Sequence, residues 1–168
     1  MAPDAAPSHH RHESLQIREA LLSDAESIAD LINSAFVVER PIFDGDRTSP
    51  AGVRNYMEKG KFLLTEDSGG LAGCVYVELR GDRGYIGLLS VDPQRQGFGL
   101  GRKLMDAAEQ FFRENGCAAV DLHVVSARTP LPAFYHRLGY VESHTSAIPA
   151  DANPKVLCHF IHMTKTIG

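Results

Sequence analysis

A turn rich in glycine, set between an apolar segment and an amphipathic one, constrains the fold of this chain most. The apolar segment ends at Val91-Asp92-Pro93, and Gly97, Gly99 and Gly101 follow at alternate positions as a helical pattern begins. The start of a helix leaves free backbone amides and a partial positive charge, and glycine lets those amides approach an anion closely. The sequence therefore predicts a strand, a turn and a helix that together bind a phosphate group.

Periodic apolar patterns on both sides of the turn predict the element order β-α-α-β-β-β-α-β-α-β-β. The predicted strands cover residues 14–20, 61–65, 71–79, 85–91, 118–125, 140–145 and 156–165. The predicted helices begin at a capping box (Ser23-Asp24-Ala25-Glu26), at Ser49-Pro50, near Gly99 and at Thr129-Pro130. Glycines are expected to end the last three helices, at Gly60, Gly116 and Gly139. Hairpins thus precede a right-handed βαβ unit in a mixed α/β fold.

Length and composition narrow the class of protein. With 168 residues, of which 43% are apolar and 23% charged, the chain has the size and balance of a globular domain. We predict a flexible tail over residues 1–13 and a single domain over residues 14–168. The net charge of −4 argues against nucleic-acid binding through bulk electrostatics. No apolar run approaches the roughly 20 residues that cross a bilayer, and the tail lacks the apolar core of a secretory signal, so no membrane partner is predicted.

The cysteines predict a reduced, cytoplasmic protein. Cys74, Cys117 and Cys158 are odd in number, far apart and without C-x-x-C spacing, so they indicate neither a disulfide framework nor a zinc site. Three histidines of the tail (His9, His10 and His12) are expected to be solvated. The sequence therefore predicts no metal.

Two common phosphate-binding motifs do not match the turn. A P-loop requires G-x-x-x-x-G-K-[ST], and no such Lys-Ser or Lys-Thr pair is present here. The dinucleotide motif G-x-G-x-x-G fails at Arg102 when counted from Gly97, and at Leu104 when counted from Gly99. Asp121 does lie at the distance of a ribose-binding acid, but the hairpins ahead of the turn replace the expected βαβαβ half. A nicotinamide-dependent oxidoreductase is thus only an alternative.

The turn resembles the GNAT superfamily of N-acetyltransferases. Gln96-Gly97-Phe98-Gly99-Leu100-Gly101 meets the superfamily motif [QR]-x-x-G-x-[GA]. Ahead of it, Val91-Asp92-Pro93 resembles the end of the family's fourth strand. Behind it, Ala133-Phe134-Tyr135-His136-Arg137-Leu138-Gly139-Tyr140 resembles the second CoA-contacting helix and the strand that follows. The resemblance extends from Leu15 to Lys165.

The resemblance implies a twisted, mostly antiparallel seven-stranded sheet flanked by about four helices, with a central βαβ unit. It also implies a splay between the fourth and fifth strands, where acetyl-CoA would enter. The pantetheine arm would pair with backbone near Leu89 and Val91, and the pyrophosphate would lie on amides from Gly97 to Arg102. The implied cofactor-binding residues are Leu89, Ser90, Val91, Gln96, Gly97, Phe98, Gly99, Leu100, Gly101 and Arg102.

The activity implied by the resemblance is direct transfer of an acetyl group, within a ternary complex, to a primary amine of a small molecule or a protein. Tyr135 occupies the position of the tyrosine that protonates the CoA sulfur, although its place on the apolar stripe also fits a packing role. Many members carry an Asn seven residues before this tyrosine, and here that residue is Arg128. A CoA-binding regulatory module without turnover is the alternative function.

The general base and the acceptor are less constrained. Glu78, His123, His159 and a water molecule are all candidates for the base, and histidine has a suitable intrinsic pKa. The acceptor site is expected between residues 37–48 and 146–155, where acidic side chains are predicted to attract a cationic amine. Those in the first segment are Glu39, Asp44 and Asp46. Both a monomer and a homodimer are compatible with the sequence.

Overall fold

The structure, a computed structural model, describes residues 15–168, so the predicted tail over residues 1–13 lies outside the described residues. The strands are β1 (Ile17–Glu19), β2 (Lys61–Asp67), β3 (Gly70–Arg80), β4 (Arg83–Val91), β5 (Ala119–Val125), β6 (Val141–Ala147) and β7 (His159–Thr166). The α-helices are α1 (Ala25–Ala35), α2 (Pro50–Lys59), α3 (Leu100–Glu114) and α4 (Pro130–Arg137). The predicted order of elements is confirmed.

All seven strands form one sheet in the order β1-β2-β3-β4-β5-β7-β6. Every neighbouring pair is antiparallel except β4 and β5, which are parallel and joined through α3 as the predicted βαβ unit. These two strands pair only from Arg83 opposite Ala119 to Tyr85 opposite Asp121, and then they diverge. The mixed α/β class and the splay between the fourth and fifth strands are therefore confirmed.

An ion pair lies at the point where β4 and β5 still meet. The Arg83 guanidinium donates to both carboxylate oxygens of Asp121, at 2.7 and 2.6 Å, and to the Thr164 hydroxyl on β7 at 2.9 Å. All three side chains belong to different strands, so this contact joins the two halves of the sheet beside the splay.

The apolar residues form one cluster on each face of the sheet. Cys74 and Tyr76 of β3 pack with α1 and α2, whereas Val75 and Val77 pack with α3. Because successive side chains of a strand point to opposite faces, β3 is buried on both sides and carries apolar residues continuously. Helices thus cover both faces of the sheet at β3: α3 packs on one face, and α1 and α2 pack on the other.

The helix ends follow the predicted signals with one exception. The Ser49 hydroxyl accepts from the Gly52 amide at 3.1 Å and begins α2, as predicted. The predicted capping box at the start of α1 is wrong. A single 3₁₀ turn over Leu22–Asp24 precedes the helix, and the Asp24 carboxylate accepts from the Leu21 amide at 2.7 Å. Asp24 also pairs with Arg18 at 2.8 Å. This ion pair favours Asp24 over Ser23 as the residue whose side chain accepts a backbone amide before α1.

Between residues 15 and 168, no helix combines the length and the apolar character that crossing a membrane would require.

Candidate active site

A cavity of about 950 Å³ opens where β4 and β5 diverge. Its walls come from the diverging halves of β4 and β5, the start of α3, the buried face of α4, and the connection between α1 and α2. The turn rich in glycine and the α1–α2 connection both line the cavity. The part of the wall formed by residues 37–48, where the acceptor is predicted, is called the acceptor end below.

A bulge interrupts β4 beside this cavity. Pairing with β3 shifts between the pair Cys74–Ser90 and the pair Tyr76–Gly87, and Leu88 takes a positive φ of 53°. The Ser90 hydroxyl donates to the Leu88 carbonyl at 2.9 Å and so satisfies a buried acceptor. Bulges next to a site re-aim the strand that follows them. The Ser90 side chain faces the core, so its predicted contact with the cofactor depends on its backbone alone.

The free edge of β4 begins after Tyr85, the last residue that pairs with β5. From Ile86 to Val91, this edge has no strand partner on the β5 side within the described residues. Leu89 and Val91 line the cavity there, as predicted. An unpaired strand edge can accept an extended ligand as an additional strand, which fits a pantetheine arm.

The glycines of the turn are required by backbone conformation. Gly97 and Gly99 have φ of 89° and 77°, and a Cβ built at either position meets nothing within 4 Å. Both positions therefore need glycine because of the left-handed backbone and not because of crowding within the protein. Gly99 is the N-cap residue of α3, so the free amides of that helix begin at the cavity wall.

Gly101 differs from the other two glycines because it lies within α3. A Cβ there would lie 3.5 Å from Phe134 Cζ and 4.0 Å from Leu89 Cδ2, which are ordinary contacts. The fold alone thus does not require glycine at this position. The place of Gly101 on the cavity wall is consistent with a ligand that approaches the backbone closely.

Two carboxylates hold the turn against the β2–β3 hairpin. Arg95 donates to both oxygens of Asp67 at 2.6 Å and to Asp92 at 2.5 Å. Asp92 also accepts from the Gln94 amide at 2.9 Å and closes the 3₁₀ turn over Pro93–Arg95. This bidentate network positions the start of α3 relative to the sheet.

Not every predicted contact lines the cavity. Those that do are Leu89, Val91, Gln96, Gly97, Gly99, Leu100, Gly101 and Arg102. Ser90 does not, and the Phe98 side chain is 79% exposed and lies outside the cavity wall. Lys103, the next residue along α3, directs its amino group to the Leu15 carbonyl. The exposed guanidinium of Arg102 is thus the cation next to the start of α3.

Tyr135 lies on α4 with 7% of its surface exposed, and it lines the cavity. Its ring packs edge-on against Phe134, with 5.0 Å between ring centroids. The hydroxyls of Tyr85 and Tyr140 contact His123 and Glu109, but the Tyr135 hydroxyl has no hydrogen-bond partner among residues 15–168. Burial raises the pKa of Tyr135, so its hydroxyl stays protonated at neutral pH. The geometry therefore leaves a protonated, unpaired hydroxyl at the cavity.

The three candidate bases lie in different surroundings. Glu78 accepts from the Tyr76 hydroxyl at 2.8 Å and pairs with Arg80, and it does not line the cavity. Burial would raise the pKa of Glu78, but these hydrogen bonds outweigh burial and lower it. His159 is exposed at the start of β7, also away from the cavity wall.

His123 on β5 does line the cavity, with its Nδ1 3.4 Å from the Tyr85 hydroxyl. Burial, together with the nearby charges of His162, Arg47 and Arg80, lowers the pKa of His123 to about 4. The ring is therefore neutral at pH 7. Of the three side chains predicted as candidates, His123 is the one at the site.

The sequence did not reveal a buried ion pair at the acceptor end. Arg128 Nη1 donates to Glu39 Oε2 at 3.0 Å, and Glu39 is only 7% exposed. Burial raises the pKa of Glu39 against the opposing charges of Arg128 and Arg47. Arg128 thus directs its charge to the α1–α2 connection, in place of the amide that relatives were expected to carry there. The two residues are far apart in sequence, and no local pattern signals their contact.

The acidic side chains of the acceptor end already have basic partners. Besides the Glu39 pair, Asp44 lies 2.5 Å from Lys155, and Asp46 lies 3.9 Å from Arg40. Each of these three carboxylates thus has a basic neighbour, and their attraction for a cationic amine stays a prediction. No group of three or more metal-ligating side chains occurs within the described part of the chain.

Comparison with known proteins identifies the class to which this fold and site belong. Residues 25–140 match the sequence profile of the acetyltransferase (GNAT) family. This match covers more than half of the chain, so the chain belongs to the GNAT family. The resemblance predicted from the glycine turn and from Tyr135 is confirmed.

Individual relatives support the same assignment. The mycothiol acetyltransferase of Propionibacterium freudenreichii subsp. shermanii is 27% identical over 161 residues, which are 92% of this chain and 52% of that protein. The chain thus spans about half the length of this relative. Ard1 from Thermoplasma volcanium superposes with a TM-score of 0.77 at 20% identity, over 92% of this chain and 98% of that one. The PaiA N-acetyltransferase from Thermoplasma acidophilum, solved with coenzyme A, gives 0.77 at 16% identity, over 92% and 99%.

Proposed function

We propose that the chain transfers an acetyl group from acetyl-CoA directly to a primary amine of a small molecule or a protein. The observation that carries this proposal is the protonated, unpaired hydroxyl of Tyr135 on the wall of a cavity that opens between β4 and β5. The relative from Propionibacterium is named an acetyltransferase, and the PaiA structure is named an N-acetyltransferase in complex with coenzyme A. Both names support the same reaction class.

The residues at one end of the cavity fit the acyl donor. The free edge of β4 at Leu89 and Val91 can pair with the amides of a pantetheine arm. The start of α3, with Gly99, Gly101 and Arg102, presents free amides and a positive charge to a pyrophosphate. The donor supplies a thioester carbonyl that is open to attack by a nucleophile.

Tyr135 and His123 are proposed as the proton-transfer pair. The amine nitrogen forms the new C–N bond and the C–S bond breaks, which leaves a thiolate. Tyr135 donates its proton to the departing sulfur. His123 accepts the proton of the amine nitrogen, which becomes more acidic as the C–N bond forms. A neutral His123 at pH 7 is consistent with that role, and the Tyr85 hydroxyl next to Nδ1 orients its ring.

The test is the release of free thiol from acetyl-CoA in the presence of a broad panel of amines. We expect thiol release that depends on the amine, with one acetylated product formed per thiol. Binding of acetyl-CoA without thiol release for any amine would instead support the non-catalytic CoA-binding module. Absorbance from a co-purified nicotinamide would support an oxidoreductase.

The remaining expectations are part of the same proposal. We propose one acetyltransferase domain over residues 14–168, in a cytoplasmic protein that is a monomer or a homodimer. The net charge of −4 supports the absence of a nucleic-acid partner, and the apolar pattern supports the absence of a membrane partner. Size-exclusion chromatography with light scattering measures the oligomeric state.

A further inference from the structure

Three arginines that line the cavity pair with no carboxylate within residues 15–168, namely Arg47, Arg102 and Arg137, and Arg47 is the one at the acceptor end. Arg47 lies between α1 and α2. Its guanidinium carbon lies 5.6 Å from the centre of the Phe36 ring, which also lines the cavity. Its neighbours Glu39, Asp44 and Asp46 are each paired with another basic residue.

The charge of Arg47 reaches residues on three different elements, because it contributes to the pKa shifts of Glu39 before α2, Tyr85 on β4 and His123 on β5. Each of these three residues lines the cavity, as Arg47 does, so the guanidinium lies within electrostatic reach of the space between them.

These observations lead to an inference that rests on the proposed function. We propose that the acceptor amine carries an anionic oxygen group, a carboxylate or a phosphate, and that Arg47 binds this group. A guanidinium presents a planar set of donors that matches either anion with two hydrogen bonds. The positive charge of Arg47 also favours the neutral, nucleophilic form of the amine held beside it.

The aromatic lining adds to this selectivity. Tyr56, Tyr76, Tyr85 and Phe160 also line the cavity and lower its local polarity. Arg47 itself is exposed, so its pairing with the anionic group would mainly orient the amine toward the cavity.

The experiment compares two matched pairs of amines by kcat/KM from thiol release. One pair is 4-(aminomethyl)benzoate and 4-(aminomethyl)benzamide, and the other is O-phosphoethanolamine and ethanolamine. We expect the anionic member of at least one pair to be preferred by about 10-fold or more, since hydrogen bonds to charged groups contribute that much. The pair that shows the preference distinguishes a carboxylate from a phosphate.

Variants assign the preference to Arg47. In Arg47→Gln the ratio of anionic to neutral kcat/KM should fall to about 1, and Arg47→Lys, which keeps the charge but not the planar donors, should retain part of it. Arg54→Gln is the matched control, because Arg54 is exposed on α2 outside the cavity, and it should keep the parent ratio. A ratio near 1 in the parent, or a preference that survives in Arg47→Gln, overturns the inference. If none of the four probes is acetylated while another amine is, the inference also fails. If no amine at all is acetylated, the proposed function fails.

Discussion

Tyr135 is the single residue at which a packing role and a catalytic role lead to the most different outcomes. Tyr135→Phe keeps the ring against Phe134 and removes a hydroxyl that has no partner among residues 15–168, so little stability should be lost. A general acid contributes about 10²–10⁴-fold in rate, and kcat should fall by that order while the Kd of acetyl-CoA stays close to the parent value. Steady-state kinetics and calorimetric titration give the two numbers.

Tyr140→Phe is the matched control for Tyr135. The Tyr140 hydroxyl contacts Glu109 at 3.3 Å, and Tyr140 lies outside the cavity wall. Its removal should cost roughly 0.5–1.5 kcal/mol of unfolding free energy and leave kcat intact. A near-normal kcat of Tyr135→Phe would mean that Tyr135 has a packing role and no catalytic one.

Substitutions of Gly101 test ligand binding without disturbing the fold, because the backbone conformation does not require glycine at this position. At 100 times Kd, acetyl-CoA should stabilise the parent by about 2.7 kcal/mol. Gly101→Val should lose most of this gain, since a branched side chain takes up space beside the start of α3. The smaller change Gly101→Ala adds only ordinary contacts with Phe134 and Leu89, so it should fold normally and lose only part of the gain. Melting curves with and without acetyl-CoA test both, and an unchanged shift in Gly101→Val would place the pyrophosphate elsewhere.

The site residues that the sequence predicted correctly are those that belong to short sequence motifs. The glycine turn and Tyr135 each belong to a short motif with fixed spacing, and both lie on the cavity wall. By contrast, the Glu39–Arg128 pair joins residues on distant segments, and the free charge of Arg47 appears only once its neighbours are paired. Such properties depend on the folded arrangement and leave no local pattern.

At the scale of elements, β4 shows where sequence patterns reach their limit. Its apolar run predicted a strand, but the bulge at Leu88 moves one residue out of register with β3. As a result, Ile86 and Leu88, two residues apart, pack in clusters on opposite faces of the sheet. An apolar run looks the same with or without a bulge, so only the pairing with β3 reveals it.

The hydroxyl of Ser90 is expected to hold this bulge in place. Ser90→Ala leaves the buried Leu88 carbonyl with only the weak Cys74 thiol donor at 3.9 Å and should cost about 1 kcal/mol. The KM for acetyl-CoA should rise in the same variant, because the free edge of β4 loses its fixed position. Urea unfolding and steady-state kinetics measure the two effects.

Thr65→Val is the control for the removal of a buried hydroxyl. The Thr65 hydroxyl is buried on β2 and has no hydrogen-bond partner among the residues that the structure describes, so an isosteric valine should be neutral or slightly stabilising. If Ser90→Ala is equally neutral, the hydrogen bond to Leu88 does not maintain the bulge.

At the scale of the whole molecule, the lowered pKa of His123 predicts how stability depends on pH. Unfolded His123 titrates near 6.5 and folded His123 near 4. Between these values the unfolded chain binds a proton that the folded protein does not, so stability is full above pH 6.5 and falls as the pH drops toward 4. The loss from this one group is at most about 3 kcal/mol.

Urea unfolding of the parent and of His123→Gln between pH 7 and pH 4 tests this prediction. The difference between the two unfolding free energies should narrow or reverse as the pH falls, because the variant lacks the titrating ring. Parallel curves over the whole range would contradict the burial of a neutral His123.

The splay of the sheet has a mechanical consequence. The backbone ladder between strands β1 to β4 and strands β5 to β7 consists of three residue pairs, next to the Arg83–Asp121 contact, and within the described residues it does not continue beyond Tyr85. A ligand that pairs with the open edge of β4 and also contacts β5 would act as a cross-brace between the two half-sheets where this ladder is missing. Donor binding would then stiffen the far end of the molecule, and the acceptor would be held between surfaces whose spacing the donor itself has set.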